Sequence, residues 1–374
     1  MHQKKTTILI TILIIGIYFG TNTIPSKTII SQPLITTLYV GGSGPNNFTT
    51  IQSAINEATP HDFIFIYNDS SPYHEHLTIS IPLTLQGEHE PTTIIDGDNT
   101  SDVISVYAEN VTITNLMVQH SGPTSIEDAA IELYTNNNYL HNITIANTPG
   151  FSVGIFLNNT KHNQIIDTTI HTIGNEGIYI KYGSYNLIKN NNIYNCGHVG
   201  IVTDATTNNL ITHNHIHHNF AGISLWPKST HNTISHNLLE YNNFSGIGIW
   251  PTATYHHISH NQINHNYQWG IHILKADNNY IEHNHITNNA IGIYLNNSKY
   301  ARIHANIFQF NLQHAGFINA TKNLYWCNYW DDCTTILFYK IHGTRAFPWD
   351  PQRQTEWVHL DLLPKKTPGA NTKK

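Results

Sequence analysis

Short runs of alternating apolar and polar residues fill the middle of the chain. The stretch "NLITHNHIHHN", which begins at Asn209, has the pattern N-x-I-x-x-N-x-I-x-x-N, and "NYIEHNHITNN" repeats it from Asn279. Alternation over three to five residues has the period of a β-strand. Each run ends at Asn or Gly, which favour turns. The pattern therefore predicts short strands joined by tight corners.

A repeat of 22 to 24 residues organises these strands. Its marker is a Gly-Ile pair, and weaker versions occur at Ala130 and Gly316. The marker glycines are Gly154, Gly177, Gly200, Gly222, Gly246, Gly270 and Gly292. Three short strands per repeat describe one coil of a parallel β-helix whose Ile and Leu side chains point inward. Each buried side chain contributes about 1.5 to 3 kcal/mol, so a stack of coils is stable where one coil is not.

Asparagine recurs at two fixed places in the repeat. The first column is Asn191, Asn214, Asn237, Asn261, Asn284 and Asn306, and the second is Asn219, Asn242, Asn266, Asn289 and Asn311. Asn tolerates the left-handed conformation, and coils about 4.8 Å apart let stacked side-chain amides bond to one another. We predict that these residues form the corners of the coil.

Composition and the N-terminus constrain location and partners. The 374-residue chain has only 11% charged residues, 27 histidines and a net charge of −6, which argues against nucleic acid as a partner. Lys4 and Lys5 precede a short apolar run at 8–20, typical of an export signal or anchor. We expect a secreted or surface-displayed protein that touches membrane only through this segment. Cys327 and Cys333 are close enough in sequence for a disulfide in an oxidising compartment.

Both ends of the repeat region carry further motifs. In "LYVGGSGPNNFTTIQSAINEATP", Thr49 and Gln52 form a candidate capping box. A helical apolar stripe follows, made of Ile51, Ala54, Ile55 and Ala58. Near the other end stands "NYWDD" at 328–332. Together with the coil repeats, these motifs resemble the NosD-like right-handed β-helix proteins, a carbohydrate-binding and sugar-hydrolase type found on archaeal surfaces. The resemblance implies right-handed coils and names copper as a possible cofactor.

The predicted fold is all-β: a single-stranded right-handed parallel β-helix with an N-terminal capping helix and a C-terminal aromatic cap. Its segments are a signal peptide or anchor at 1–24, the N-terminal cap and first coils at 38–120, regular repeats at 121–322, the C-terminal cap at 323–364 and a disordered tail at 365–374. Open β-helix ends expose strand edges, so we assign the tryptophans of the closing segment to the cap. These are Trp326, Trp330, Trp349 and Trp357.

Outward positions are the second and fourth residues after each marker glycine. "WP" dipeptides place Trp226 and Trp250 outward on neighbouring coils, and Tyr179, His272 and Tyr294 share this face. Sugar rings stack on such aromatic surfaces, so we predict a glycan-binding platform. The alternative is an aromatic cluster that only stabilises the sheet.

A histidine column precedes the first asparagine column. It consists of His213, His236, His260 and His283. One hypothesis is a copper or other metal site, which requires imidazole nitrogens about 2.0 to 2.1 Å from the ion. The favoured alternative is a polar corner column, in which case crowded rings should loosen the stack in mild acid.

Acidic residues give little sign of catalysis. Glu132 and Asp204 lie three coils apart, too far for the carboxyl pair of a glycoside hydrolase, and Asp204 faces Lys181. Glu176 lies on a column of apolar residues, either as a turn residue or as a buried acid with a raised pKa. We therefore expect a non-catalytic glycan- or surface-binding protein. The alternatives are a metal-binding accessory protein and a polysaccharide lyase, hydrolase or epimerase.

Overall fold

The protein is a parallel β-solenoid. The computed structural model describes residues 35–125, 128–334, 338–347 and 350–365, so the predicted N-terminal signal at 1–24 and the tail from 366 onward lie outside the described residues. About 13 right-handed turns contain nearly all of the regular structure, and helix accounts for only 2%. The predicted fold is confirmed. In the described ranges, no helix is long and apolar enough to span a membrane.

Each coil contributes one strand to each of three parallel faces. The first face contains Thr37–Val40, Phe63–Ile66, Thr84–Gly87, the first part of Thr112–Gln119 and of Tyr139–Thr148, Gln164–Ile166, Leu187–Lys189, Leu210–Thr212, Thr233–Ser235, His257–Ser259, Tyr280–Glu282, Arg302–His304, Leu324–Trp326 and Asp350–Leu362. The second contains Tyr73–His74, Ile94–Asp96, the later part of the same two long strands, Thr169–Ile173, Asn192–Tyr194, His215–His217, Leu238–Glu240, Gln262–Asn264, His285–Thr287, Ile307–Gln309 and Tyr329–Trp330. The third contains Leu77–Ile79, Ile104–Val106, Ala129–Leu133, Val153–Asn158, Ile178–Lys181, Val199–Asp204, Ala221–Leu225, Ser245–Ile249, Trp269–Leu274, Ile291–Asn296, Gln313–Ile318 and Phe338–Phe347.

Isoleucines stack along the interior in sequence order. Ile178 pairs with Ile201, Ile201 with Ile223, and Ile223 with Ile247, and all four are fully buried. Since adjacent coils superimpose in register, every outward residue also lies above its counterpart in the next coil. The outward columns inferred from the sequence are therefore real.

The marker glycines are required by the close approach of consecutive coils. A Cβ at Gly222 would lie 2.5 Å from the carbonyl oxygen of Gly246, and one at Gly246 would lie 2.9 Å from that of Gly270. Real Cβ atoms do not come this close to backbone oxygen. The Gly-Ile marker therefore combines a tight backbone contact with an inward side chain.

Both predicted asparagine columns are hydrogen-bonded ladders. In the first, the backbone N and the Nδ2 of Asn214 donate to Oδ1 of Asn237 at 2.9 and 3.0 Å. The same pattern runs from Asn191 through Asn306, and continues to Asn328 and Asp361. A third ladder, not singled out from the sequence, contains Asn138, Asn163, Asn186, Asn209, Asn232, His256 and Asn279.

The corner conformation differs from the prediction. The left-handed residue is the one before each ladder asparagine, as at His213 (φ 58°) and His236 (φ 57°), and not Asn214 or Asn237 themselves. The asparagine side chain turns into the stack, where it bonds to backbone groups, so the preceding residue makes the bend and points outward. Asn, Asp and His are enriched in this conformation, which explains the many histidines at corners.

The helix at Ile51–Glu57 lies against the first coils. Ile51, Ala54 and Ile55 are buried, as the apolar stripe predicts. The N-cap is Thr50 rather than Thr49, and its side chain accepts a hydrogen bond from the backbone of Ser53. The carboxylate of Glu75 accepts hydrogen bonds from the first two helical amides, of Ile51 and Gln52, at 2.7 and 2.9 Å, so it shares the capping of this helix with Thr50.

An antiparallel hairpin follows the last coil. Trp330 is buried and stacks on Phe308 and Tyr339 at 4.3 and 4.5 Å between ring centroids, which supports its role in an aromatic cap. Trp326 stacks on His304. Trp357, by contrast, is 44% exposed, and Trp349 lies outside the described residues. Cys327 and Cys333 are half-buried, and their pairing stays a prediction.

Candidate functional site

An apolar groove of about 320 Å³ crosses the third face where two coils carry tryptophan. Trp226 and Trp250 follow the ends of strands Ala221–Leu225 and Ser245–Ile249. Phe220 and Phe244, at the starts of the same strands, stack on each other with centroids 5.0 Å apart. Pro227 and Pro251 extend the tryptophan side. The groove thus lies between aromatic side chains on both sides.

The predicted platform residues are not all available to a ligand. Trp226 and Trp250 are half-buried and line the groove. Tyr179 and His272 point outward from the coil but are only 4% and 7% exposed. Tyr294 is half-buried beside His272, two coils beyond Trp250. Two of the five residues therefore line the groove. Tyr179 and His272 lie beside them, with ring centroids 5.9 Å from Trp226 and Trp250 respectively, and sugar contact by Tyr179, His272 and Tyr294 stays a prediction.

Tyr179 belongs to a second apolar cluster that lies outside the coil interior. Its ring stacks on Phe156 at 5.1 Å and meets Trp226 edge-on at 5.9 Å. Its hydroxyl donates to Oδ2 of Asp204 at 2.9 Å, and burial is the main reason that the pKa of Tyr179 is raised. The sequence pattern paired Asp204 with Lys181, whose ammonium group instead lies 5.7 Å from the ring centroid of Tyr182. Trp226 therefore packs against this cluster on the side where Tyr179 lies.

A buried carboxylate and a histidine meet at one end of the groove. Glu176 is 1% exposed, and its Oε1 lies 2.8 Å from Nδ1 of His198. Its Oε2 is buried and has no hydrogen-bond partner in the described part of the chain. The His198 ring lines the groove and stacks on Phe220 at 5.7 Å. Glu176 is thus both a residue of the connection between strands Thr169–Ile173 and Ile178–Lys181 and a buried acid.

A pair of carboxyl groups also exists, although the sequence suggested none. Asp102 and Glu132 are neighbours whose carboxyl groups interact, and each affects the pKa of the other. Burial, chiefly, and the neighbouring Asp102 charge raise the pKa of Glu132 to about 7. Glycoside hydrolases hold their two carboxyl groups about 5 to 9.5 Å apart, so a pair in direct contact does not have that geometry.

The histidine column is stacked. Ring centroids of His213, His236, His260 and His283 are 5.0, 5.0 and 5.1 Å apart, and the first two pairs are within 4° of parallel. The rings lie face to face rather than converging on one point, and the column is not among the groups of the described residues that bring three metal-capable atoms within 4.8 Å of one another. Metal binding by the column stays a prediction.

Two other groups in the described ranges bring three metal-capable atoms within 4.8 Å of one another. These are His74 with Asp96 and Asp98, and His314 with Asp331 and Asp332. Their members already bond to neighbours: His314 Nε2 lies 2.6 Å from Asp331, which also accepts the backbone amide of Phe310. Both groups therefore have a structural explanation.

The residues missed by sequence reasoning share one column. His198, Phe220 and Phe244 each lie two positions before a marker glycine. The preceding coils carry Asn175 and Ser152 there, so a run of three ring-bearing side chains was a detectable signal. No comparable pattern indicates that Asp102, between two corners, would meet Glu132.

Three parallel faces, inward isoleucines and asparagine ladders define a right-handed β-helix protein. A family model described as "right handed beta helix region" matches residues 93–256 and 228–335, and the chain belongs to this family. A finer assignment to NosD-like proteins goes beyond this match. No curated protein sequence matches the chain.

Solved structures with the same fold are distant in sequence. The A-module of the mannuronan C-5 epimerase AlgE6 of Azotobacter vinelandii is similar at 14% identity, with a TM-score of 0.62 over 75% of this chain and 88% of that one. The Dettilon tailspike protein is similar at 14% identity, with a TM-score of 0.56 over 78% of this chain and 62% of that one. The periplasmic alginate epimerase AlgG is similar at 14% identity, with a TM-score of 0.53 over 75% of this chain and 78% of that one. At this identity the likeness establishes the fold alone.

Proposed function

We propose that the protein binds a glycan in the groove between Phe220, Phe244, Trp226 and Trp250. The observation that carries the proposal is the half-buried pair of indoles on consecutive coils. Aromatic side chains bind the CH faces of sugars, and an exposed apolar patch on a monomer commonly marks a binding site. Epimerases that act on mannuronan and alginate share this fold, which adds general support for a glycan partner.

We further propose that the protein acts outside the cell. Lys4, Lys5 and the apolar run at 8–20 have the order of an export signal. An extracellular location would give the groove access to cell-surface or environmental polysaccharide. Fusion of residues 1–34 to a reporter that is active only after export tests this, and reporter activity equal to that of a fusion without the segment would contradict it.

Tryptophan fluorescence tests the binding proposal. Oligosaccharides should quench emission in the protein and not in Trp226→Ala, because this change removes one wall of the groove. Trp357→Ala is the matched control, since Trp357 lies on the C-terminal hairpin away from the groove. Unchanged emission with every glycan of a broad panel would refute the proposal, provided that circular dichroism shows the folded stack.

A second candidate is a glycan-active enzyme, favoured by the contact between Glu176 and His198. A histidine oriented by a buried carboxylate is the usual arrangement of a general base. Incubation with polysaccharides, followed by mass spectrometry and reducing-end assays, tests this activity. Product formation that His198→Phe abolishes would favour the enzyme over the binding protein.

A further inference from the structure

The groove carries no positive side chain to balance an acidic ligand. None of its lining residues is Lys or Arg, and the ionisable one among them is His198. The imidazole of His198 is paired with the Glu176 carboxylate, whose second oxygen is buried and unpartnered. The end of the groove thus presents a carboxyl group and an imidazole in contact with each other, and no ammonium or guanidinium group lines it.

Charge on the ligand is therefore unfavourable here. A uronate, sulfate or phosphate group in the groove would find no guanidinium or ammonium group to offset its charge, and its only ionisable neighbours there would be His198 and the Glu176 carboxyl group behind it. Removal of an anionic group from water without a partner carries a further penalty. An uncharged sugar avoids both effects.

The free edge of His198 defines the polar contact. Because Nδ1 of His198 contacts the buried Glu176, Nε2 is the ring nitrogen that remains for a ligand on this half-exposed side chain. Neutral imidazole accepts a hydrogen bond at Nε2, and imidazolium donates one. A sugar hydroxyl can donate or accept, so it satisfies either form, whereas a carboxylate can only accept.

We propose that the groove selects an uncharged pyranose, which packs its CH face on Trp226 and bonds one hydroxyl to Nε2 of His198. Glu176 acts as a positioning residue that orients the imidazole. This inference rests on the proposed glycan-binding function and narrows its ligand to a class that excludes the polyuronates mannuronan and alginate.

Matched oligosaccharides test the selection. Neutral tetrasaccharides (gluco-, manno- and xylo-configured) and oligouronates of equal length should be titrated against tryptophan fluorescence and by calorimetry. We expect at least one neutral series to bind about tenfold or more tightly than every oligouronate. Its affinity should be nearly independent of salt between about 20 and 500 mM, because no ion pair forms.

Variants separate this inference from the function on which it rests. His198→Phe keeps the ring on Phe220 and should weaken neutral binding about three- to tenfold. Glu176→Gln replaces the buried carboxyl group by a neutral amide and should narrow the preference for neutral oligosaccharides over oligouronates about tenfold. If oligouronates bind with the same affinity as neutral oligosaccharides, and Trp226→Ala abolishes that binding, the inference is overturned while the glycan-binding function stands. Unchanged affinity in His198→Phe would overturn the His198 contact. Absence of quenching by both classes would refute the binding function itself.

Discussion

His256 makes the stability of the stack depend on pH in a way that one substitution can isolate. It replaces asparagine in the third ladder, where its Nδ1 accepts the backbone amide of Asn232 at 3.2 Å. The residue is fully buried, and burial lowers its pKa from 6.5 to about 3. A proton on Nδ1 would abolish this bond and set two donors against each other. His256 therefore stays neutral in the folded protein far below the pH at which it titrates when unfolded.

The sign and magnitude follow from proton linkage. Between pH 6.5 and about 3 the unfolded chain binds one more proton at this site than the folded chain does, so the free energy of unfolding falls as the pH falls. Each pH unit in that window costs about 1.4 kcal/mol. At pH 4.5, two units below 6.5, the expected loss is about 3 kcal/mol relative to pH 7.5.

His256→Asn restores the ladder amide and removes the titrating group. Urea unfolding at pH 7.5 and 4.5, followed by circular dichroism, should show about 3 kcal/mol less acid destabilisation in the variant than in the wild type. His231→Asn is the matched control, because it makes the same chemical change at an exposed corner of the preceding coil. If the wild type and His256→Asn lose the same free energy of unfolding between pH 7.5 and 4.5, His256 does not account for the acid destabilisation, and the predicted lowering of its pKa in the folded protein is refuted.

Three further substitutions test other parts of the stack. Burial raises the pKa of Glu132 from 4.5 to about 7, so the free energy of unfolding should fall by up to about 3 kcal/mol as the pH rises from 4.5 to 7. Urea unfolding of Glu132→Gln over the same pH range should not show this fall. Asn237→Ala removes the acceptor of two bonds from Asn214 and should cost about 2 to 5 kcal/mol in urea unfolding, against little change for the exposed Asn243→Ala. Gly222→Ala forces a Cβ to 2.5 Å from a carbonyl of the next coil and should lower the melting temperature more than any of these; an unchanged value would contradict the close spacing of these coils.

The sequence predicts most of the fold because the repeat imposes it. Ile201, Ile223 and Ile247 recur at intervals that only stacked coils can place in contact, and Asn214 and Asn237 recur with them. The corner conformation was wrong at the level of single residues, because periodicity does not distinguish the residue that bends from the residue that bonds. Both positions are polar and tolerate turns.

The groove was predicted only in part because it depends on side-chain direction rather than on period. The strand pattern placed Trp226 and Trp250 on one face, which the structure confirms. Phe220 and Phe244 begin the strands, and nothing in the alternation shows that they lean over the sheet. The centroids of Phe244 and Trp250 come within 6.5 Å, with Gly248 beneath them. The absence of a side chain at Gly248 gives the indole room, since a Cβ there would lie 3.1 Å from Nε1 of Trp250.

Function in a solenoid depends on departures from the repeat. An interior position such as Ile223 is kept the same from coil to coil, since one irregular layer would disturb both neighbours. Outward positions carry no such constraint, and here the departures are concentrated on nearby coils: Glu176 replaces an apolar residue, and the two Trp-Pro pairs follow at 226–227 and 250–251. Other departures, such as His256 in the third ladder, have a structural partner within the stack. The two Trp-Pro pairs instead line an apolar groove, which is the physical reason to look for the ligand there rather than along the histidine column.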